Sequence, residues 1–307
     1  MKKVLSVLIA AALALSLAAC GSSSSSAAAS TAASTASSAA ASTAASSTAA
    51  SSTAAAGALD TSKLSDAAKT RLAEIQKAGK LVLGTSADYS PFEFHATVDG
   101  ADKIVGIDVD LAQKVADAMG VKLEITDMSF DNLLISLNKG DFDVVMAALS
   151  PTEERAKAVD FSDIYFKGKQ VVLIRTADAA KYTTTDSLKG KAVTAQKGAI
   201  QEGIANDVAG SENVVLLTKV GDEVAELMNN KVEAVFLDNT VAAGYAAVHS
   251  DLTMADIGIT YESEGNAAAC KKGDTGLVEI INAVLGNVSE DEMNTIMANN
   301  QKLAGIE

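Results

Sequence analysis

From Lys80 onward the chain alternates short apolar runs with amphipathic ones. The run KLVLGTS (80–86) reads as a short strand. In DVDLAQKVADAM (108–119), Val109, Ala112, Val115, Ala116 and Met119 share one helical face, and Gly120 supplies the stop. VKLEIT (121–126) places Val121, Leu123 and Ile125 at the period of a half-buried strand. FDNLLISLNKG (130–140) reads as a helix with Leu133, Leu134 and Leu137 inward, and DVVMAA (143–148) as a strand. The alternation resumes after Lys169 with VVLIRT, KAVTAQ, VVLLT, a helix ending near Asn229, and VEAVFLD (232–238). A strand AAACKK (267–272) and two helical patterns close the chain. Strands this apolar, alternating with helices, imply an α/β fold of parallel sheets covered by helices.

Two segments echo each other. LNKGDFDVVMAALS (137–150) and LMNNKVEAVFLDNT (227–240) both run helix end, polar turn, one acid, buried strand. Superposing them sets Asp143 on Glu233 and Ala148 on Asp238. Any α/β chain can yield such a match; the sharper account is two similar lobes, each ending a strand at a shared crevice. Ligands of open α/β sheets bind beyond the carboxyl ends of strands, so AALSPTEER and FLDNT are the ends that matter.

The first end reads as a helix start. Ser150 suits the N-cap, Pro151 the first helical position, and Glu153 completes a capping box. Such a start aims free N–H groups into the crevice, and the planar fork of Arg155 can grip a carboxylate with two parallel bonds. Taken alone, Arg155 is better read as a surface arginine paired with an acid such as Asp160. The second end shifts that balance. Asp238 closes the apolar run VFLD, where a charge needs a cation, although a cap for the following segment is an alternative. If the two ends face each other, a zwitterion satisfies both.

Composition narrows the setting. Residues 1–20 carry Lys2 and Lys3, an uncharged apolar stretch and then small residues before Cys20, a secretory leader too short to span a membrane. The ending Leu17-Ala18-Ala19-Cys20 resembles the bacterial lipobox, where cleavage leaves a lipid-modified cysteine; an ordinary leader with an incidental cysteine is the alternative. Every residue from Ser22 to Ala56 is Ser, Ala or Thr, a segment expected to be a disordered tether of about 35 Å mean span. The net charge is −14, and without the two leader lysines 39 acids face 23 bases, giving −16. That balance excludes nucleic acid and direct adhesion to anionic lipid. Cys270 is left alone and reads as a small core residue. The two histidines, His95 and His249, fit no catalytic or metal-ligand spacing, so no cofactor, metal or catalytic residue is expected.

The segments GTSADYSPFEF (84–94), GIDVDLA (106–112), SFDNLLISLNKGDFDVV (129–145), SPTEER (150–155), VDFSDIYF (159–166), SLKGKAV (187–193) and VEAVFLD (232–238) occur in order and at matching separations. In them the chain resembles the bacterial extracellular solute-binding proteins of family 3, the polar amino-acid binders that serve ABC importers. The resemblance implies a two-lobed periplasmic-binding-protein-like fold (type II), each lobe a mostly parallel sheet flanked by helices. It divides the chain into a leader (1–19), the Cys20 tether (20–58), a first lobe (59–168 with 266–307) and a second lobe (169–265). Hinge crossings would lie near 167–170 and 264–267. It also implies site roles. Arg155 would bind the ligand carboxylate with Ser150 and the backbone around Ala148, and Asp238 the α-amino group. Tyr89 would lie beside the side chain and Phe130 on its other face, with Ser86, Ala199, Ile200 and Gln201 also at the ligand.

Departures bear on the cargo. Basic-ligand members often carry an acid where this chain has Ser86, and Asp88 is two positions away. Serines common before SPTEER are Ala147 and Ala148 here. Both changes favour a neutral polar or apolar side chain. The expected function is thus extracytoplasmic capture of a free amino acid by a monomeric clamp, anchored through lipid (palmitate among its chains) on Cys20, with delivery to an ABC permease. The rivals are a small-carboxylate dehydratase-like enzyme on the same fold and a ligand-sensing lipoprotein.

Overall fold

The apolar runs pair into two sheets of like topology. The computed structural model describes residues 59–259, 261 and 265–306; the expected leader, Cys20 and the tether lie outside the described residues. A first group of strands comprises β1 (Lys80–Thr85), β2 (Asp88–Tyr89), β3 (Glu93–Val98), β4 (Ala101–Val105), β5 (Lys122–Asp127), β6 (Val144–Val145) and β7 (Val159–Phe166). There follow β8 (Gln170–Arg175), β9 (Val193–Gln196), β10 (Val214–Leu217), β11 (Ala234–Asp238), β12 (Leu252–Ala255) and β13 (Asn266–Lys271). The helices are α1 (Asp66–Ala78), α2 (Ile107–Met119), α3 (Leu133–Lys139), α4 (Glu153–Ala156) and α5 (Ile200–Ala209), then α6 (Val220–Met228), α7 (Asn239–Val248), α8 (Thr275–Leu285) and α9 (Glu290–Leu303).

One sheet has the order β5-β1-β6-β13-β7 and the other β10-β9-β11-β8-β12. In each, four strands run one way and one is reversed, β13 in the first and β8 in the second. Their central strands are buried along their length, as at Leu81, Leu83, Val144 and Val145 in one lobe and Val171 to Ile174 and Ala234 to Leu237 in the other. Burial on both faces is why these strands read as unbroken apolar runs.

The sequence echo is a correspondence of position: β6 and β11 hold the same place in the two sheets. Asp143 and Glu233 enter those strands alike, donating their N–H to Val82 O at 2.9 Å and Ala192 O at 2.7 Å. Each carboxylate meets an arginine, Arg71 at 2.7 Å for Asp143 and Arg175 for Glu233.

Several details differ from the sequence pattern. DVVMAA pairs only at Val144–Val145, because the chain then leaves the sheet and Ala148 turns to φ +45°. Ser150 is not a helix cap: α4 is a single turn capped by Thr152, whose hydroxyl accepts the Arg155 N–H at 3.2 Å. Leu134 is half-buried while Ser136 takes the inward position beside Leu133 and Leu137. The β2-β3-β4 meander has no counterpart in the apolar pattern, since apart from Tyr89 and the first two residues of β3 its positions are exposed or only half-buried.

Among the described residues, the carboxyls of Glu93 and Glu223 are buried with neither a counter-charge nor a hydrogen-bond partner. Glu93 opens β3 and Glu223 lies in the first turn of α6. Burial pushes both well above the usual carboxylate range; Asp108, Asp88 and Asp127 reinforce this at Glu93, and Asp88 and Asp222 at Glu223. A raised folded value contributes stability that is fully present below the unfolded value and lost as pH rises through the folded one. Glu223→Gln keeps the shape and removes the titration. Its melting temperature should therefore gain on the wild type by about 3 °C per pH unit on going from pH 5 toward neutrality. A difference that stays flat with pH would show that Glu223 is not held protonated.

Candidate functional site

The carboxyl ends of β6 and β11 open into one pocket. Ala147, Ala148 and Ser150 line it from beyond β6, Asp238 from the end of β11 and Gln196 from the end of β9. Gln170 and Asn266 contribute from the starts of β8 and β13, and Tyr89, Phe130, Arg155, Ala199, Ile200 and Gln201 complete the wall. Every residue expected at the pocket lines it except Ser86. That side chain is buried elsewhere, its hydroxyl 3.4 Å from Asp88 Oδ1. Asp88 in turn points at the other lobe and accepts the Val220 N–H at 3.0 Å; burial pushes it up to about 6.

Arg155 is held by backbone carbonyl oxygens. Its Nη1 donates to Ser150 O at 2.8 Å and its Nη2 to Gly198 O at 2.9 Å, while the guanidinium sits 5.4 Å from the centre of the Phe130 ring. No carboxylate among the described residues pairs with it. Asp160, its candidate surface partner, binds Lys272 Nζ at 2.7 Å instead. Burial lowers Arg155 to about 10.

Asp238 is the complementary case. Its Oδ1 accepts the Thr240 N–H at 2.8 Å, so the residue does cap α7, but it has no cation partner among the described residues. Burial raises it to about 6 against that hydrogen bond. A Cβ on Gly168 would lie 2.3 Å from Asp238 Oδ2, so only glycine leaves room for this carboxylate.

The neighbouring groups hold these two in place. Tyr89 Oη accepts the Asp238 N–H at 3.1 Å, and Gln201 Nε2 donates to Gln170 Oε1 at 2.8 Å. Ala148 lines the pocket, but its backbone N–H is engaged behind it. That N–H donates to Asp108 Oδ2 at 2.7 Å, the same oxygen that takes the Tyr165 hydroxyl at 2.8 Å. Burial lifts Asp108 to about 7. This anchor holds Ala148 in a left-handed conformation that costs on the order of 1–3 kcal/mol.

Sequence reasoning missed Gln170, Gln196 and Asn266. Gln196 ends an apolar strand in the manner of Asp238, and that signal could have found it. Its Nε2 is buried with no partner. Neither histidine lines the pocket: His95 contacts Asp102 at 2.8 Å on the β3–β4 hairpin, and His249 stacks on Tyr245. Among the described residues no cluster suits a metal ion, and no helix is long and apolar enough to cross a membrane. Two unlike charges thus line one pocket, Asp238 buried and Arg155 half-buried.

The sequence model of the bacterial extracellular solute-binding proteins, family 3, matches residues 81–300. The arginine-binding extracellular protein ArtP of Bacillus subtilis (strain 168) is 32% identical over 214 residues, covering 69% of this chain and 82% of the relative. Among solved structures, an amino acid ABC transporter substrate-binding protein from Streptococcus pneumoniae Canada MDR_19A, bound to L-arginine, has a TM-score of 0.72 and 38% identity. It spans 77% of this chain and 98% of its own. The ancestral amino acid-binding protein AncCDT-1, a precursor of cyclohexadienyl dehydratase, is similar at a TM-score of 0.67 and 29% identity, covering 75% of this chain and 98% of its own. The expectation of a neutral cargo, drawn from Ser86 and the two alanines, finds no support in these relatives, two of which carry arginine in their names.

Proposed function

This chain belongs to the bacterial extracellular solute-binding proteins, family 3, and from that premise we propose that it captures a free α-amino acid outside the cytoplasm and delivers it to an ABC importer permease. The observation that carries the reading is the pair of opposite charges at one pocket, Arg155 and Asp238, neither with an ion partner among the described residues. Arg155 takes the α-carboxylate and Asp238 the α-amino group. The cargo side chain lies against Phe130 and Tyr89, among Gln170, Gln196 and Gln201. Carboxamides donate and accept, so they suit a polar side chain, and arginine is the first cargo to test because similar proteins bear it in their names.

The lobes comprise 59–168 with 266–307 and 169–265, hinged near 167–170 and 264–267. Ligand bridging Arg155 and Asp238 favours closure because only the closed form lets it touch both. Micromolar affinity needs about 8 kcal/mol, within reach of a desolvated zwitterion packed on an aromatic ring. The leader is removed before Cys20, and lipid on that cysteine anchors a monomer to the outer or periplasmic side of the cell membrane. Two acyl chains suffice for stable anchoring.

Thermal shifts against the twenty amino acids, cystine and ornithine should show a large response to one or a few of them. Arg155→Ala and Asp238→Asn should each weaken binding by at least about 100-fold, the latter while keeping the α7 cap. Retained affinity within a few-fold would overturn the assignment. In a second test, Cys20→Ala should move the chain from the membrane fraction to the soluble extracytoplasmic fraction; unchanged membrane attachment would refute the lipid anchor.

A further inference from the structure

We propose that the turn Lys197–Gly198 of the second lobe and Asp131 of the first form a latch that sets how long the lobes stay closed, whatever cargo is inside. The inference rests on the two-lobed clamp proposed for the chain. Three contacts cross between the lobes at this turn. Lys197 Nζ lies 2.9 Å from Asp131 Oδ2, and this hydrogen bond holds the Asp131 carboxyl below its usual range. Gly198 sits at φ +78°, and a Cβ there would come within 3.0 Å of Asp131 Cβ and 3.1 Å of Asp131 Cα. The two lobes therefore touch at backbone distance, and a side chain at residue 198 would both strain that left-handed turn and push Asp131 back by a few tenths of an ångström. Gly198 O receives the 2.9 Å hydrogen bond from Arg155, and Gly198 N donates to Glu202 Oε2 at 2.8 Å, which fixes the turn from within its own lobe.

None of Lys197, Gly198 and Asp131 lines the pocket. Their contacts therefore contribute equally for every cargo and act on release rather than on selectivity. Arg155 links the two systems, because the guanidinium that faces the pocket also reaches the latch. The Lys197–Asp131 pair is partly exposed to solvent, so its contribution is small and screened by salt.

The test is single-molecule energy transfer on the full chain, with dyes at Lys139→Cys and Lys189→Cys, read with and without L-arginine. Lys197→Ala should lower the closed-to-open ratio about threefold and raise the arginine release rate by the same factor, with the association rate unchanged. Added salt should lower the ratio in the wild type but not in Lys197→Ala. Gly198→Ala should lower it further, and the swap Lys197→Asp with Asp131→Lys should restore it. Equal ratios in wild type and Lys197→Ala, or a swap that behaves like the single variants, would overturn the latch. If arginine and the other amino acids fail to close the wild type while the ligand-free ratio still follows the latch variants, the clamp reading falls and the latch stands. If an amino acid closes the wild type and every variant alike, the latch falls and the clamp reading stands.

Discussion

Arg155 and Asp238 come from different lobes, line one pocket, and have no ion partner among the described residues. Removing charge from water without compensation is costly, and the depressed arginine and elevated aspartate both report that cost. A molecule carrying a carboxylate and an ammonium relieves both at once. On the clamp reading proposed above, neither lobe alone offers that relief, so ligand binding and lobe closure become one event. The fold's duplication makes this possible. Corresponding strands, β6 and β11, end at the same crevice, one followed by a turn bearing a guanidinium and the other by a carboxylate.

The surroundings spend stability to hold these groups. Ala148 is kept left-handed by a buried carboxylate, and Gly168 leaves the space that Asp238 Oδ2 occupies. Asp238 itself is committed on one oxygen to the α7 N-terminus, which fixes its direction while leaving the other oxygen toward Gly168. The cap and the ligand-facing charge are therefore compatible roles of one side chain. Tyr89 contributes a third tie by crossing from the first lobe to the Asp238 N–H.

Much of this is legible in the sequence because the buried strands are apolar along their length and the polar residues that end them stand out. Asp238 and the segment after Val145 emerge that way. The N-cap is misread because Ser150 and Thr152 both suit that position, and only the hydroxyl that meets the Arg155 N–H decides between them. Gln170 and Asn266 begin strands, where a polar residue is ordinary, so their convergence on the pocket is a property of the fold alone. Ser86 shows the opposite failure. A motif position suggests a ligand contact, yet its hydroxyl is turned toward Asp88, and inferring the cargo from its missing acid points away from arginine.

The most direct test of the shared-zwitterion account is calorimetric titration of the chain with a binding amino acid, its amide and its des-amino acid. The account predicts that each analogue, having lost one of the two charges, binds at least about 100-fold more weakly than the parent. A des-amino acid that binds as tightly as the parent would leave Asp238 without a role and contradict it.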